Sequence, residues 1–149
     1  MRRGTRSHAP TRELRQEHRR FLRRLALLEK RLDQAEQGEI PMGRLRAMAR
    51  RQARDLENHL RVEEEDLFPR LAHTDLGHPG GGIGTLLSEH ALLRKYLNEF
   101  LSALDAGAAA PAGEAVAPAR SFLWLIRDHI DKEDTVYFPR MDALLARSA

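Results

Sequence analysis

Residues 59–70 read His-Leu-Arg-Val-Glu-Glu-Glu-Asp-Leu-Phe-Pro-Arg, and residues 129–140 read His-Ile-Asp-Lys-Glu-Asp-Thr-Val-Tyr-Phe-Pro-Arg. Both stretches share the pattern His-x3-Glu-x4-Phe-Pro-Arg. On an α-helix, a His and a Glu four residues apart lie about 40° apart around the axis and about 6 Å apart along it, so both side chains can reach one point. One such pair is common by chance. Two pairs, each followed by the same tripeptide, indicate a paired metal site.

The duplication extends backwards along the chain. A Glu-His dipeptide precedes each stretch, ending at His18 in the first half and at His90 in the second. His18 lies 41 residues before His59, and His90 lies 39 residues before His129. The repeated unit is a helix hairpin of about 70 residues. Each half therefore contributes a single His, a chain reversal and a His-x3-Glu pair.

Length and composition limit the classes of protein. The 149 residues are enough for one domain with a four-helix core that needs no disulfide bonds. There is no cysteine, which excludes thiolate ligands, iron–sulfur clusters and cysteine nucleophiles and fits a reducing compartment. No apolar run reaches the roughly 18 residues of a membrane span. Residues 1–10 are basic and precede no apolar segment, so we expect a flexible basic tail rather than a secretory signal, on a cytoplasmic protein.

The charge pattern argues against nucleic acid and membranes as partners. The net charge is only +3. The densest basic stretch, residues 44–54, has no aromatic residues among its arginines for base stacking. We interpret this stretch as a solvated helix face. The sequence leaves open whether there is a protein partner.

Four helical segments can be drawn, over residues 11–37, 41–72, 85–105 and 114–146. Thr11 suits the N-cap of the first segment, and Gly38 suits its end. Strand patterns are nearly absent from the sequence. Long amphipathic helices with short connections predict an all-α, up-down-up-down four-helix bundle that occupies residues 11–147.

Glycine and proline mark the breaks between and within these helices. The Gly-rich stretch 77–84 carries no helix signal and is predicted to be a loop, and residues 107–113 are predicted to be the next turn. Pro69 and Pro139 fall late in the second and fourth segments. Each should kink its helix or end the regular part, because proline offers no N–H and crowds the carbonyl four residues back. Their matched placement supports two-fold pseudosymmetry.

Six polar residues occupy core-facing positions on these helices: His18, His59, Glu63, His90, His129 and Glu133. Burying a carboxylate is costly unless it is paired or bound to a cation. Four imidazoles and two carboxylates that could bridge suggest two metal ions with about three protein ligands each. This donor set suits iron first, and manganese or zinc next. A cysteine-based structural zinc site is impossible here.

In order and spacing, this set resembles the hemerythrin-like family, also described as the HHE cation-binding domain. The resemblance rests on His18, on His59-x3-Glu63 with the Glu-Glu-Asp-Leu-Phe-Pro that follows, on His90, and on His129-x3-Glu133. It covers essentially residues 11–147. The resemblance implies a four-helix bundle with a non-haem di-iron centre, bridged by carboxylates and an oxo or hydroxo group. It also implies that the four histidines are terminal ligands and that the two glutamates are the bridges.

The chain departs from the oxygen-carrying members of that family at one position. Those carriers place a second His one turn after the His of the third helix, where this chain has Arg94. The ligand set for reversible O2 storage is therefore incomplete, and the sequence leaves the role of Arg94 open. The carriers also have an Asp five residues after the last His. Asp134 occupies that position and is an alternative ligand to Glu133, which fits the HHE pattern better.

Three further residues lie close to the predicted ligands. Tyr137 is one turn beyond Glu133 and is expected to pack at the end of the bundle, with metal ligation or a hydrogen bond at the metal as the alternative. Glu17 and Glu89 each directly precede a predicted ligand. We expect both at the surface rather than in contact with the metal ligands.

The sequence therefore predicts a di-iron protein that binds or senses O2, peroxide or nitric oxide. One alternative is a di-iron enzyme that acts on peroxide or nitric oxide, or a protein of iron handling or repair, with the same ligands. Whether the protein is an enzyme is left open. Another alternative is a helical interaction domain with zinc or no metal, and metal content distinguishes it from the others.

Overall fold

A computed structural model describes residues 9–106 and 112–147, within which four long helical segments make up the fold. The first is α1, Arg12–Glu36. The second joins α2, Arg46–Val62, to a π-helical turn, π1, at Glu63–Leu67 and a 3-10 turn at Phe68–Leu71. The third is α3, Gly82–Asp105, and the fourth joins α4, Ala112–Lys132, to a second π-helical turn, π2, at Glu133–Tyr137 and to α5, Phe138–Arg147. Residues 1–8 of the predicted tail and 107–111 of the predicted turn lie outside the described residues.

The long helices surround a common core. α1 contacts α2 and α4, and α3 contacts the same two helices, so each has two neighbours. Residues 9–106 and 112–147 contain no strand, which confirms the all-helical prediction. Over the same ranges, no helix is both long enough and apolar enough to cross a membrane.

The first helix begins and ends where the sequence predicts, but Thr11 acts differently from a capping residue. Gly38 has φ +76°, its N–H donates to the carbonyl of Ala35, and the next N–H donates to the carbonyl of Gln34. This is the Schellman arrangement that glycine favours at a helix end. Thr11 occupies the N-cap position, yet its hydroxyl donates to Asp142 Oδ2 at 2.7 Å rather than serving the helix backbone. Thr11 therefore ties the start of α1 to α5.

The third helix begins at Gly82, three residues before the predicted start, so the predicted loop at 77–84 is too long. A close contact across the bundle explains why a glycine stands at this helix start. A Cβ atom added to Gly82 would lie 2.4 Å from Cε1 of Tyr137. The glycine serves the close approach of this ring rather than a loop conformation. Tyr137 packs against the apolar cluster at this end of the bundle, as the sequence predicts for an aromatic residue there.

This contact yields a stability prediction. We expect Gly82→Ala to destabilise the protein by about 1–3 kcal/mol, because the added methyl group displaces the Tyr137 ring. Gly84 is the matched control, since a Cβ there meets no atom within 4 Å. Gly84→Ala should stabilise the protein by about 0.5–1 kcal/mol through helix propensity. Urea unfolding of both variants tests the pair, and equal changes in the free energy of unfolding would contradict the proposed contact.

Each His-x3-Glu pair runs into a π-helical turn. In both copies the following Phe N–H donates to the Glu carbonyl five residues earlier, which links Phe68 to Glu63 and Phe138 to Glu133. The regular α-helix ends seven residues before Pro69 and before Pro139. In the second segment a 3-10 turn follows and contains Pro69, whereas in the fourth the α-helix resumes at Phe138 and runs through Pro139, so this proline does not end the helix. Such π-helical turns often occur at functional sites.

Two apolar clusters fill the bundle, with a polar layer between them. The larger one is built from residues of α1, α2, α3 and α4, and includes Phe21, Leu32, Leu56, Phe100 and Phe122. The smaller one lies around the Phe-Pro-Arg motifs, and includes Leu14, Phe68, Leu86, Phe138 and Met141. Along each of the four helical segments, the predicted ligands fall between members of the two clusters.

Candidate metal centre

The structure brings the six predicted ligands together in the polar layer. They form two groups that share Glu63 and Glu133: cluster A adds His18 and His59, and cluster B adds His90 and His129. Within each cluster the candidate ligand atoms all lie within 4.8 Å of one another. None of the six residues exposes more than 3% of its surface. The layer is therefore shielded from bulk water.

The four imidazoles turn Nε2 inward, toward the two carboxylates. Each carboxylate faces one imidazole of each cluster, which is the arrangement that a bridging carboxylate needs. The Nε2-to-oxygen distances are 2.7 Å for His59 to Glu63, 3.1 Å for His90 to Glu63, 3.3 Å for His18 to Glu133, and 3.1 Å for His129 to Glu133.

The four imidazoles turn Nδ1 outward, and each Nδ1–H donates to a carboxylate. The pairs are His18 with Asp134 at 2.7 Å, His59 with Glu17 at 2.6 Å, His90 with Glu64 at 3.1 Å, and His129 with Glu89 at 2.8 Å. An ionised carboxylate only accepts hydrogen bonds, so Nδ1 carries the proton in each ring. In the neutral imidazole, Nε2 then presents a lone pair. This is the orientation in which histidine ligates a metal.

The centre of the layer contains acceptors without matching donors. Nε2 of His18 and Nε2 of His59 lie 3.0 Å apart. While the imidazoles are neutral and carry their proton on Nδ1, both oxygens of Glu63, both oxygens of Glu133 and Nε2 of the cluster B histidines are, among the described residues, buried without a hydrogen-bond partner. Lone pairs held this close repel one another unless protons or cations lie between them. Imidazole and carboxylate donors in this proportion fit first-row metal ions.

The Phe of each Phe-Pro-Arg motif covers a histidine from the other half of the repeat. Phe138 stacks on His18, with ring centroids 5.3 Å apart and planes 12° apart. Phe68 stacks on His90, with centroids 5.8 Å apart and planes 19° apart. Such contacts orient both rings. The motif that repeats in the sequence therefore helps to hold the single histidines in place.

The same pattern matches a known family along most of the chain. The family model of the hemerythrin HHE cation-binding domain matches residues 9–141. The chain belongs to this family. No curated protein and no solved structure matches it. The resemblance noted from the sequence is thus confirmed, and as a hemerythrin HHE domain the protein binds cations. The ligand role of each of the six residues stays a prediction.

We call the four carboxylates that accept the Nδ1–H hydrogen bonds the outer carboxylates. Two of them, Glu17 and Glu89, were expected at the surface, away from the metal ligands, and this expectation is wrong. Glu17, on α1, accepts the hydrogen bond of His59 on α2, and Glu89, on α3, accepts that of His129 on α4. Each glutamate thus supports a histidine of the neighbouring helix rather than the histidine beside it in sequence. The Glu-His dipeptide, present in both halves, was the signal that could have identified them.

Two residues whose roles the sequence left open also lie in the outer shell. Asp134 lies outside cluster A, on Nδ1 of His18, and its side chain is 34% exposed. The inner position belongs to the neighbouring glutamate. Arg94 donates to both Glu57 and Glu64, and Glu64 in turn accepts the hydrogen bond of His90. At the position where the oxygen-carrying hemerythrins have a further histidine, this chain therefore supports His90 from outside.

Protons compete with metal for the inner atoms of the HHE site. Burial alone would lower the pKa of His59, but hydrogen bonds to Glu17 and Glu63 outweigh it and raise the pKa to about 10. Burial, reinforced by the charge of Glu63, raises the pKa of Glu133 to about 8. Burial would also raise the pKa of Glu63, but hydrogen bonds from His59 and His90 hold it well below its usual range. A metal ion that binds here must therefore displace protons.

Proposed function

We propose that the protein holds a non-haem di-iron centre that binds or senses O2, peroxide or nitric oxide. The observation that supports it most is the pair of clusters, each with two imidazoles, around two shared and buried carboxylates. Cluster A would hold one ion and cluster B the other, with Glu63 and Glu133 as bridges. Imidazole and carboxylate ligands without thiolates favour iron, followed by manganese or zinc.

A bound iron pair would supply redox chemistry and coordination positions for a small ligand. The protein residues would provide the ligands, leave positions open and orient the histidines. Each cluster offers two imidazoles and two carboxylates, and Arg94 provides no ligand where the carriers have a further histidine, so positions stay open. The outer carboxylates keep Nε2 of every histidine free of a proton in its neutral form and directed inward.

The closed surroundings of the layer support a small exogenous ligand. Phe68 and Phe138 stack on two of the histidines, and Phe21 meets His59 edge to face at a centroid distance of 5.1 Å. Phe21 and Phe138 expose 4% and 0% of their surface. Aromatic walls packed this tightly exclude bulk water and large substrates. A diatomic molecule or peroxide is the class of ligand that fits.

The helix order and the cellular location also belong to the proposal. We propose the up-down-up-down order for the four helical segments, because consecutive segments contact each other and their connections are short. The cytoplasmic location stays a prediction that rests on the cysteine-free sequence. The absence of nucleic-acid and membrane partners also stays a prediction, and it rests on the charge pattern of the sequence.

Metal analysis of protein produced with iron tests the proposed function. We expect two iron ions per chain and near-ultraviolet charge-transfer absorption that changes when O2, peroxide or nitric oxide is added. The zinc-loaded protein is the matched control, because zinc has no redox chemistry and should give no such absorption. Protein that takes up only zinc, or no metal at all, would contradict the proposal and favour a helical interaction domain.

A further inference from the structure

We infer that the two ion positions differ in affinity, and that cluster A binds a divalent cation more tightly than cluster B because Arg94 and Lys132 stand behind the cluster B histidines. This inference rests on the proposed metal centre. It concerns the outer carboxylates. Each cluster has two of them, but only those of cluster B also accept a hydrogen bond from an arginine or a lysine among the described residues.

Each cluster A histidine is backed by one partly exposed carboxylate. Glu17 accepts from His59 at 2.6 Å, and Asp134 accepts from His18 at 2.7 Å. Within the described part of the chain, no lysine or arginine forms an ion pair with either carboxylate. Their side chains are 33% and 34% exposed, so water solvates them without neutralising them.

The cluster B histidines are backed by carboxylates that a cation also holds. Oε2 of Glu64 accepts from His90 at 3.1 Å and from Arg94 at 3.0 Å, so one oxygen serves both donors. Glu89 accepts from His129 through Oε2 at 2.8 Å and from Lys132 through Oε1. Both carboxylates are more buried than those of cluster A, with side-chain exposures of 22% and 11%.

The acids further out offset the charges of Arg94 and Lys132, but they do not remove the hydrogen bonds that these two residues donate to Glu64 and Glu89. Glu57 shares Arg94, and Asp128 shares Lys132. Neither of these acids, among the described ion pairs, contacts a histidine. On the side of cluster A, Arg20 acts on Glu17 only at longer range, and Arg15 is engaged by Asp142.

The hydrogen-bond lengths follow the same division. Both bonds of cluster A, at 2.6 and 2.7 Å, are shorter than both bonds of cluster B, at 2.8 and 3.1 Å. A carboxylate that accepts more strongly at Nδ1 makes Nε2 a better metal ligand. Outer-shell changes of this kind alter metal affinity by about 10–100-fold, so we expect the two binding steps to differ by at least about tenfold.

Titration of the metal-free full chain with Zn2+ alone tests the order of binding. The Nδ1–H protons of the four histidines serve as separate NMR reporters, assigned from single His→Gln variants. We expect the signals of His18 and His59 to reach their bound positions first. Calorimetry of the same titration should resolve a tighter and a weaker step. If His90 and His129 respond first, or all four together, the inference is wrong although a two-ion site would stand.

Variants then test the cause of the difference. Arg94→Met with Lys132→Met should tighten the second step by about tenfold and leave the first unchanged, whereas Glu17→Gln with Asp134→Asn should weaken the first step by about 10–100-fold. Arg120→Met is the matched control, because Arg120 pairs with Asp33 and Glu36, about 13 Å along the helix from His129. Circular dichroism verifies the fold. An unchanged second step in the cation variant would overturn the inference, and a wild-type chain that binds no Zn2+ would instead reject the metal centre itself.

Discussion

Replacing Glu63 with alanine is expected to abolish metal binding by both clusters. Glu63 belongs to cluster A and to cluster B, and its two oxygens face His59 and His90 separately. The loss of this side chain removes one donor from each ion position at once. His129 belongs to cluster B alone, so His129→Ala should remove at least the ion of that cluster. Metal content per chain measures both effects.

Glu63→Ala should also remove the stabilisation that metal binding provides. A ligand that binds only the folded state stabilises it by about 2.7 kcal/mol per ion when free metal is 100-fold above Kd. Wild-type protein should therefore gain about 5 kcal/mol from two such ions, and Glu63→Ala should gain almost nothing. Urea unfolding with and without Zn2+ separates this loss from any direct effect of the substitution on the metal-free chain.

Glu65 supplies the control for this experiment. It lies in the same π-helical turn, two residues from Glu63, but its side chain is 65% exposed and pairs with Arg61. Glu65→Ala should keep the full metal content and the full metal-dependent stabilisation. If Glu63→Ala and His129→Ala both retain the metal content of the wild type, these residues are not ligands and the proposed centre is wrong.

The sequence predicts the helices and the inner residues because both depend on local geometry. A His and a Glu four residues apart lie on one helix face wherever the helix is placed. The apolar residues around His18 and His90 then put those rings in the core. Gly38 ends α1 with a positive φ, as glycine does after a helix. None of these inferences requires knowledge of a neighbouring helix.

The features that the sequence did not predict depend on contacts between helices. Glu17 looks like a surface residue from α1 alone, and it becomes a partner of His59 only when α2 lies beside it. Gly82 looks like part of a loop until the ring of Tyr137, 55 residues further along the chain, packs against it. Pattern analysis assigns a residue to one face of its own helix. It does not say which residue of another helix that face will meet.

The second large effect is the dependence of stability on pH. As the pH rises, the metal-free protein should lose stability, whereas the stabilisation by bound metal should grow. The pKa of His59 rises from its usual 6.5 to about 10 on folding, because hydrogen bonds to Glu17 and Glu63 outweigh the effect of burial. The stabilisation from His59 is thus complete below pH 6.5 and is lost as the pH rises toward 10. The pKa of Glu133 rises from 4.5 to about 8 through burial and the charge of Glu63. The folded chain therefore holds this proton too, and loses stability as the pH rises through this range.

Between pH 6.5 and 8 both groups act in the same direction. The metal-free protein should lose up to about 1.4 kcal/mol per pH unit for each group, since the folded state binds more protons than the unfolded state. Metal binding requires the deprotonated ligands, so the affinity for Zn2+ should rise over the same interval. The gap in Tm between zinc-loaded and metal-free protein should therefore widen from pH 6.5 to 8. Thermal unfolding of both forms across this range measures the gap.

Glu133→Gln identifies the group responsible for part of this dependence. Glutamine keeps the shape of the side chain but does not titrate, so the metal-free variant should lose less stability per pH unit than the wild type. Glu65→Gln, at an exposed position, should leave the slope unchanged. A metal-free protein that grows more stable between pH 6.5 and 8, or a Tm gap that stays constant, would show that protons do not occupy the buried layer. Competition between protons and metal would then not control the affinity of the protein for metal. The inward-facing lone pairs would need another explanation.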